Sequence, residues 1–341
     1  MISGFSDMPA STLFNKSLVM LYHNVSIWEN SVIKMLIAVI SLVLFSASNA
    51  YADRLRIVSS IAPVHAIVIA VAGERAQSDL LLKGSASPHH FSLKPSHARL
   101  VQDADFVVLI DFELESFLEK PVRSASDSTA IELANAPRIQ LWETREIGVL
   151  SSEHGESHSH GHDHGNENHR DDLHLWLDPM NTIAMADYLA TVLSDADPVG
   201  EAFYRANVAR FKERAELVMK KIQTQLLPYK NQPYVVFHDA FQYFEKRFGL
   251  MSPAVLTLNP EMAPSAKVVS EIREYLLSSG TRCIYREPQF SPSILTSMTE
   301  GLPVTIAELD PLGDSMVIDA DYYPQIVLGM AQSFQSCFSQ P

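Results

Sequence analysis

The most prominent chemical feature of the sequence is a cluster of imidazoles between residues 153 and 174. Seven of the 13 histidines lie there, separated by Gly, Ser, Asp, Asn and Glu, with no apolar residue before Leu173. Neutral imidazole is a common ligand of Zn, Cu and Ni, so this composition predicts contact with a transition metal. Two alternatives are a solvated insert that has no function and a purification tag, although tags are usually runs at one end of a chain.

A segment of this kind is poorly suited to hold one ion tightly. Ordering a solvated chain costs about 1–2 kcal/mol of backbone entropy per residue, and no apolar burial offsets that cost here. We therefore expect the loop over residues 153–170 to bind metal weakly and a rigid site to exist elsewhere. The histidines with this auxiliary role are His154, His158, His160, His162, His164 and His169.

Histidines outside the loop are the candidates for a rigid site. His174 is flanked by Leu and Trp, His238 ends a short apolar run, and His89 lies in a loop. Taken singly, each is explained more simply as a buried, hydrogen-bonded side chain. Taken with Asp310, which follows the predicted strand at 304–309, they offer three nitrogens and one oxygen, a set that suits four-coordinate Zn²⁺. The sequence has no HExxH, and no general base adjoins these residues at motif spacing, which argues against a hydrolase.

The sequence alternates between patterns typical of strands and of helices, and these elements would position the candidate ligands. Apolar runs such as 106–110 are typical of buried parallel strands, and ligands of parallel sheets sit at the carboxyl ends of strands. The alternation predicts an α/β fold of two βα lobes, 53–198 with the histidine-rich loop and 230–341. Helical spacing over 199–229 predicts one long rigid helix that joins the lobes, with the metal site in the cleft between them.

The first 52 residues predict export. An apolar run at 35–45 follows Lys34 and is too short to anchor in a bilayer, and small residues at 50–52 fit an A-x-A cleavage site. We expect a signal peptide over 1–52 and a product free in the periplasm, because no cysteine near the cleavage point would carry a lipid anchor. The residues before Lys34 resemble an added extension, so the start stays open between Met1, Met20 and Met35.

Charge and cysteine content narrow the partners and the compartment. The net charge of −14 argues against nucleic acid and anionic membranes as partners, and 47% apolar residues allow a sizeable core. The chain has only two cysteines, Cys283 and Cys337. In an exported protein such a pair most often forms a disulfide, and metal ligation is the less favoured alternative because Cys337 lies so near the end.

Five stretches together resemble a known family. They read GSASPHHFSLKPS at 84–96, HLWLDP at 174–179, FHDAFQYF at 237–244, EPQF at 287–290 and LDPLG at 309–313. The chain resembles the zinc-uptake solute-binding proteins of bacterial ABC transporters, the ZnuA-like periplasmic type. The order of the stretches matches too, with the histidine-rich insert just before HLWL.

The resemblance implies a two-lobed fold with metal bound between the lobes. The residues that fall on the family's ligand histidines are His89, His174 and His238. Some zinc-type relatives carry Glu where this chain has Pro88, so Asp310 is the favoured fourth ligand. Water and His65 are the alternatives for that position. The resemblance also implies a disulfide between Cys283 and Cys337.

The implied function is capture and not catalysis. The protein should bind Zn²⁺ in the periplasm and, as a monomer, deliver it to the permease and ATPase subunits of an ABC zinc importer. His at the third ligand position favours Zn²⁺, whereas a carboxylate there would favour Mn²⁺. A Mn²⁺- or Fe²⁺-binding protein of the same fold stays open, as does, less favoured, an exported zinc hydrolase. We expect acid to weaken binding as the imidazoles protonate, near pH 6.5 unless their pKa is shifted.

Overall fold

The computed structural model describes Met35 and residues 54–125, 128–145, 170–260, 262–314, 316–319 and 321–340. Nearly all of the predicted signal peptide and the six auxiliary histidines of the loop lie outside the described residues. Leu55–Pro341 form one compact unit. Within the described part of the chain, no helix combines the length and the apolar character needed to cross a membrane.

The first lobe is built on a sheet of four parallel strands. They are β1 (Leu55–Ser59), β2 (Ala76–Leu80), β3 (Phe106–Leu109) and β4 (Thr129–Glu132), in the order β2-β1-β3-β4. In this register Ser59 pairs with Leu80 on one side and with Val108 on the other. β3 reads FVVL and is nearly all buried, and the last three residues of β1 are buried too, as in strands that are covered on both faces.

Four helices accompany this sheet: α1 (Ala62–Ala72), α2 (Pro95–Asp103), α3 (Glu119–Ser124) and α4 (Pro179–Ala196). The sequence of α1, APVHAIVIAVA, is apolar nearly all round, and eight of its 11 residues are buried. Such a helix belongs in a core, and α1 packs against β1, β2 and α4. It ends at Gly73, whose φ of 51° is the left-handed backbone that glycine adopts without a steric penalty.

One helix of 26 residues, α5 (Glu201–Leu226), follows the first lobe. At 1.5 Å per residue it is about 39 Å long. Its apolar stripe consists of the buried residues Tyr204, Val208, Phe211, Ala215, Ile222 and Leu226. The helix packs against α1 and α4 and also against the C-terminal helix at Tyr322–Phe338. Short 3-10 turns, Pro198–Gly200 and Leu227–Tyr229, extend it towards the predicted range.

The second lobe repeats the strand order of the first. Its parallel strands are β5 (Tyr234–His238), β6 (Ala254–Thr257), β7 (Cys283–Arg286) and β8 (Thr305–Glu308), in the order β6-β5-β7-β8. Its helices are α6 (Gln242–Phe248), α7 (Ala266–Ser278), α8 (Ser293–Thr299) and α9 (Tyr322–Phe338). The predicted fold class, two βα lobes with parallel sheets joined by a long helix, is confirmed.

A disulfide fastens the end of the chain to this second sheet. Cys283, the first residue of β7, is bonded to Cys337 in the last turn of α9, with an S–S distance of 2.05 Å. Both residues are buried, so the bond is enclosed in the second lobe. The expected pairing of the two cysteines is therefore present.

Candidate metal site

Three histidines converge between the two sheets. The candidate ligand atoms of His89, His174 and His238 all lie within 4.8 Å of one another. Their ring centroids are 5.6 Å, 5.1 Å and 5.1 Å apart. Among the described residues, this is the one group of three or more His, Cys, Asp or Glu side chains with such geometry. The structure thus brings together three of the four predicted ligands.

Different local structures position the three imidazoles. His89 lies in the 3-10 turn Pro88–His90, where the Ser87 Oγ accepts a hydrogen bond from the His89 backbone N–H at 3.3 Å. His174 stands just before the 3-10 turn that leads into α4. His238 is the last residue of β5, at the carboxyl end of a strand, as the sequence predicted. The first lobe therefore supplies two imidazoles and the second lobe supplies one.

Buried carboxylates hold two of these imidazoles. The His174 Nδ1 lies 2.7 Å from the Asp172 Oδ1, which also accepts from the His174 backbone N–H at 3.0 Å. The His238 Nδ1 lies 3.0 Å from the Glu287 Oε1. An imidazole whose Nδ1–H donates to a carboxylate presents its Nε2 lone pair to a metal, and the carboxylate makes it a stronger ligand.

Burial keeps the imidazoles in the form that binds metal. Desolvation and the neighbouring histidines lower the pKa of His89 to about 2, and desolvation lowers the pKa of His238 to about 3. Both values lie well below the 6.5 of a free imidazole, so these two side chains stay neutral in weakly acidic solution. Burial raises the pKa of Glu287 to about 8. Although burial opposes it, hydrogen bonding to His174 lowers the pKa of Asp172.

Two cavities adjoin the cluster. The smaller has a volume of about 20 Å³, the space of one water-sized group, and the side chains of Trp176, Glu287 and Gln289 line it beside the histidines. The larger, about 360 Å³, reaches the same imidazoles from the side of Arg170 and Asp171. These two residues resume the described chain after the histidine-rich loop, so one end of that loop borders the site.

Asp310 does not belong to the cluster. Its Oδ1 accepts from the backbone N–H groups of Leu312 and Gly313 at 3.0 Å and 2.9 Å, and its Oδ2 accepts from the Asp314 N–H at 2.7 Å. The Gln289 Nε2 adds a fourth hydrogen bond, at 3.3 Å to Oδ1. The residue follows β8, as the sequence predicted, but its carboxylate organises the turn after that strand.

His65 also lies apart from the cluster. It belongs to α1, and its Nδ1 is 3.2 Å from the Ser59 Oγ. Desolvation lowers its pKa to about 4. It lines a separate cavity of about 390 Å³ together with Asp79 and Lys83. These contacts favour a structural role at the start of the helix.

Helix α6 connects the second lobe to the chain around His174. The Gln242 Nε2 donates to the Asp172 Oδ2 at 3.2 Å and to the Glu143 carbonyl at 3.0 Å. The Tyr243 hydroxyl donates to the Asp172 carbonyl at 2.7 Å. Three ion pairs complete this contact: Arg145–Asp239, Arg145–Glu245 and Arg247–Asp178.

Reasoning from the sequence missed Asp172, Glu287 and Gln242. Asp172 could have been found from the sequence, because an acidic residue two positions before a candidate histidine ligand can reach the imidazole ring of that histidine. Glu287 lies in the EPQF stretch directly after an apolar strand, but 49 residues separate it from His238. Gln242 lies in the FHDAFQYF stretch, and its partner is on the other lobe.

The fold is that of a two-lobed α/β protein, and the three-histidine cluster between its lobes has the geometry of a metal site. Residues 57–337 match the model of a family described as zinc-uptake complex component A, periplasmic, and the chain belongs to that family. It is similar to the high-affinity zinc uptake system protein ZnuA of Brucella suis biovar 1. The two are 33% identical over 318 residues, which is 87% of this chain and 95% of that protein.

Solved structures show the same fold. A crystal structure of ZnuA superimposes with a TM-score of 0.70 at 22% identity, covering 84% of this chain and all of the other. A ZnuA deletion mutant with zinc bound has a TM-score of 0.70 at 22% identity, covering 85% of this chain and all of the mutant. At this level of identity the likeness concerns the architecture.

Proposed function

We propose that this protein captures Zn²⁺ with His89, His174 and His238 in the periplasm and delivers it to an ABC-type zinc importer. The observation that carries the proposal is the convergence of three imidazoles, two of which have buried carboxylate partners. Imidazole nitrogens in a small, four-coordinate set suit Zn²⁺. Membership of the family and the names of its relatives support zinc as the cargo and transport as the purpose.

The charges around the cluster also support a dication as cargo. Three neutral imidazoles leave the double charge of Zn²⁺ uncompensated, and a buried charge is costly unless it is paired. Asp172 and Glu287 are 3% and 1% exposed, and each lies one imidazole away from the metal position. Their two negative charges, once metal is bound, would balance the ion. Because nitrogen ligands dominate, we propose Zn²⁺ over Mn²⁺ or Fe²⁺, and metal analysis of protein from its native compartment tests that choice.

The proposed task is binding without chemical conversion of a substrate. We propose that residues 1–52 direct export, that no lipid anchors the product, and that a monomer meets the permease and ATPase subunits of the importer. The lobes would comprise 53–198 and 230–341, with 199–229 between them. Assays with ester, peptide and phosphate substrates should show no turnover, and metal-dependent hydrolysis of any of them would favour the hydrolase alternative.

Loss of one imidazole tests the site. We expect His238→Ala to lower Zn²⁺ affinity at least tenfold, since removing one of three ligands also leaves the Glu287 carboxylate without its partner. Titration against a competing chelator measures the change. His90→Ala is the matched control, because His90 is exposed and lies outside the cluster. Unchanged affinity in His238→Ala would refute the site assignment.

For the histidine-rich loop we propose an auxiliary role as a weak collector of zinc. Support comes from the described chain on either side of it, where the Thr144 N–H donates to the Arg170 carbonyl at 2.9 Å, close to Asp172. A deletion of residues 153–170 should keep one tight zinc site per chain and remove only weaker binding. Zinc stoichiometry by calorimetry checks this expectation. If the tight site disappears with the loop, the loop itself is the site.

A further inference from the structure

We propose that the cavity of about 390 Å³ beside His65 is a second binding site, for an α-amino acid with an apolar side chain. None of the three clustered histidines lines this cavity. The first lobe contributes α1, β2 and the turn after β2, and the second lobe contributes the chain after β8 and the start of α9. A ligand there would therefore touch both lobes. The volume is within the range of about 300–1,000 Å³ that is typical of small-molecule sites.

Two opposite charges at this cavity have no partner in the protein. Asp79 near the end of β2 and the exposed Lys83 in the turn after it both line the cavity. Neither side chain forms a hydrogen bond or an ion pair with another described residue. Desolvation is the main cause of the low pKa of His65, but Asp79 also raises this pKa and Lys83 lowers it, so both charges lie near the same ring. Such an acid and base can bind the ammonium and the carboxylate of one zwitterion.

The second lobe adds another carboxylate to the same cavity. Asp314 lines it, and the Asp314 Oδ2 accepts a hydrogen bond from the Gln289 Nε2 at 2.9 Å, which holds the group in place. Burial, and after it the charge of Asp310, raise the pKa of Asp314 to about 6. A cation next to a partly buried carboxylate stabilises its ionised form. The ammonium group of the ligand thus has two carboxylates to bind, and its carboxylate has Lys83.

The rest of the wall decides what lies between the two charged ends of the ligand. It is largely aliphatic, with the side chains of Leu80, Leu82, Leu312, Met316 and Ile318. These side chains favour a ligand with an apolar body over an inorganic ion. A metal ion is a poor fit as well, because the one metal-type cluster among the described residues is that of the three histidines.

Calorimetric titration of the zinc-free protein with L-leucine tests the inference. We expect one saturable site per chain with a Kd of about 1 mM or tighter. Two analogues each lack one charge: 4-methylpentanoate has no ammonium group, and 3-methylbutylamine has no carboxylate. Each should bind at least about tenfold more weakly than leucine, because one charge of the cavity stays without a partner. Absence of saturable leucine binding, or equal affinity for either analogue, overturns the inference.

Variants locate the leucine site on the protein. Asp79→Asn and Lys83→Met should each weaken leucine binding at least about tenfold. The matched controls Asp103→Asn and Lys120→Met change exposed residues outside the cavity and should bind leucine like the wild type. Lys83→Met should also keep the Zn²⁺ affinity of the wild type, which shows that the variant is folded. Wild-type leucine binding in both cavity variants overturns the inference.

One further variant separates this inference from the proposed function. His238→Ala removes a candidate zinc ligand and leaves the second cavity intact, so it should bind leucine like the wild type. Loss of leucine binding in this variant would mean that leucine occupies the three-histidine site, and it would overturn the inference. Failure of the protein to bind Zn²⁺ would refute the proposed function without affecting the leucine site.

Discussion

The two lobes share one strand order, yet they present their imidazoles by different means. In the second lobe, His238 ends β5, and its partner Glu287 comes directly after β7, the strand paired with β5. In the first lobe, His174 and its partner Asp172 lie two residues apart in the chain before α4. A sheet edge and a short loop thus build the same imidazole–carboxylate pair.

This difference decides what each pair depends on. The pair of the second lobe rests on two hydrogen-bonded strands of its own sheet. The pair of the first lobe relies on the other lobe, because Gln242 and Tyr243 of α6 hold Asp172 by its side chain and its carbonyl. The geometry of His174 is therefore conditional on contact between the lobes, and that of His238 is not.

Each lobe also contains a buried carboxyl group away from the histidines, and the largest expected effect is that of one such group on the pH dependence of stability. In the second lobe, Glu245 pairs with Arg145, and burial nevertheless raises its pKa to about 7. In the first, the Glu115 Oε2 accepts from the Ile110 and Asp111 backbone N–H groups, and burial raises the pKa of Glu115 to about 7 from 4.5. A raised pKa means that the folded state holds the proton more tightly. This contribution to stability is complete below about pH 4.5 and is lost as pH rises through about 7.

Glu115→Gln should remove the contribution of this one carboxyl group to the pH dependence of stability. We compare the unfolding free energy of the variant with that of the wild type. As pH rises from about 4.5 to 8, this difference should move in favour of the variant by about 3 kcal/mol, because each unit of the pKa rise corresponds to about 1.36 kcal/mol. Denaturant unfolding at several pH values measures the shift. The exposed Glu113→Gln in the same turn should run parallel to the wild type. Parallel curves for Glu115→Gln would show that this carboxyl is ionised in the folded protein.

Neutralising the carboxylate partners is expected to have the next largest effect. Asp172→Asn and Glu287→Gln should each lower Zn²⁺ affinity about 10- to 100-fold, because each loses a charge that strengthens one imidazole ligand. Chelator competition measures both. The exposed Asp171→Asn is the control for the first variant. Wild-type affinity in both variants would mean that these carboxylates only support the fold.

Cutting the contact between the lobes should have the smallest effect and should act on one side only. Gln242→Leu removes the donor to the Asp172 Oδ2 and should lower Zn²⁺ affinity about threefold to tenfold. Nitrogen chemical shifts of the zinc-loaded chain should change at His174 and stay constant at His238. Lys246→Met is the control on the same helix. It removes the contact of Lys246 with the Trp142 ring, 3.5 Å from the ring centroid, but leaves the hydrogen bond from Gln242 to Asp172 in place, so the shifts of both histidines should stay constant. Equal changes at both histidines would contradict the asymmetry.

Much of the fold follows from the sequence pattern because each lobe alternates strand and helix with clear punctuation. Gly73 ends α1, as glycine commonly does at the end of a helix, and the uninterrupted helical spacing of α5 gives its length. The order of strands within a sheet does not follow from the pattern, because pairing depends on contacts between residues far apart in the chain. The same four-strand order in both lobes became visible only in the structure.

The histidines of the candidate site could be predicted from the sequence, but the roles of the carboxylates around them could not. His174 and His238 stand out by residue type and by position next to apolar strands or turns. Asp310 was correctly placed after a strand, yet the sequence could not show that four hydrogen-bond donors engage its carboxylate. Glu287 is brought to His238 only by the pairing of β5 with β7, so composition and spacing carry no trace of that contact.

The contacts of α6 have a kinetic consequence. Gln242, Tyr243 and Arg247, all on this seven-residue helix, bond to the chain between Trp142 and Asp178. Because a short helix moves as one body, withdrawing it breaks these bonds together, and Asp172 loses two of its anchors in the same event. We therefore expect the escape rate of a bound ion to follow the lifetime of this helix contact, so that residence time and equilibrium affinity can change independently.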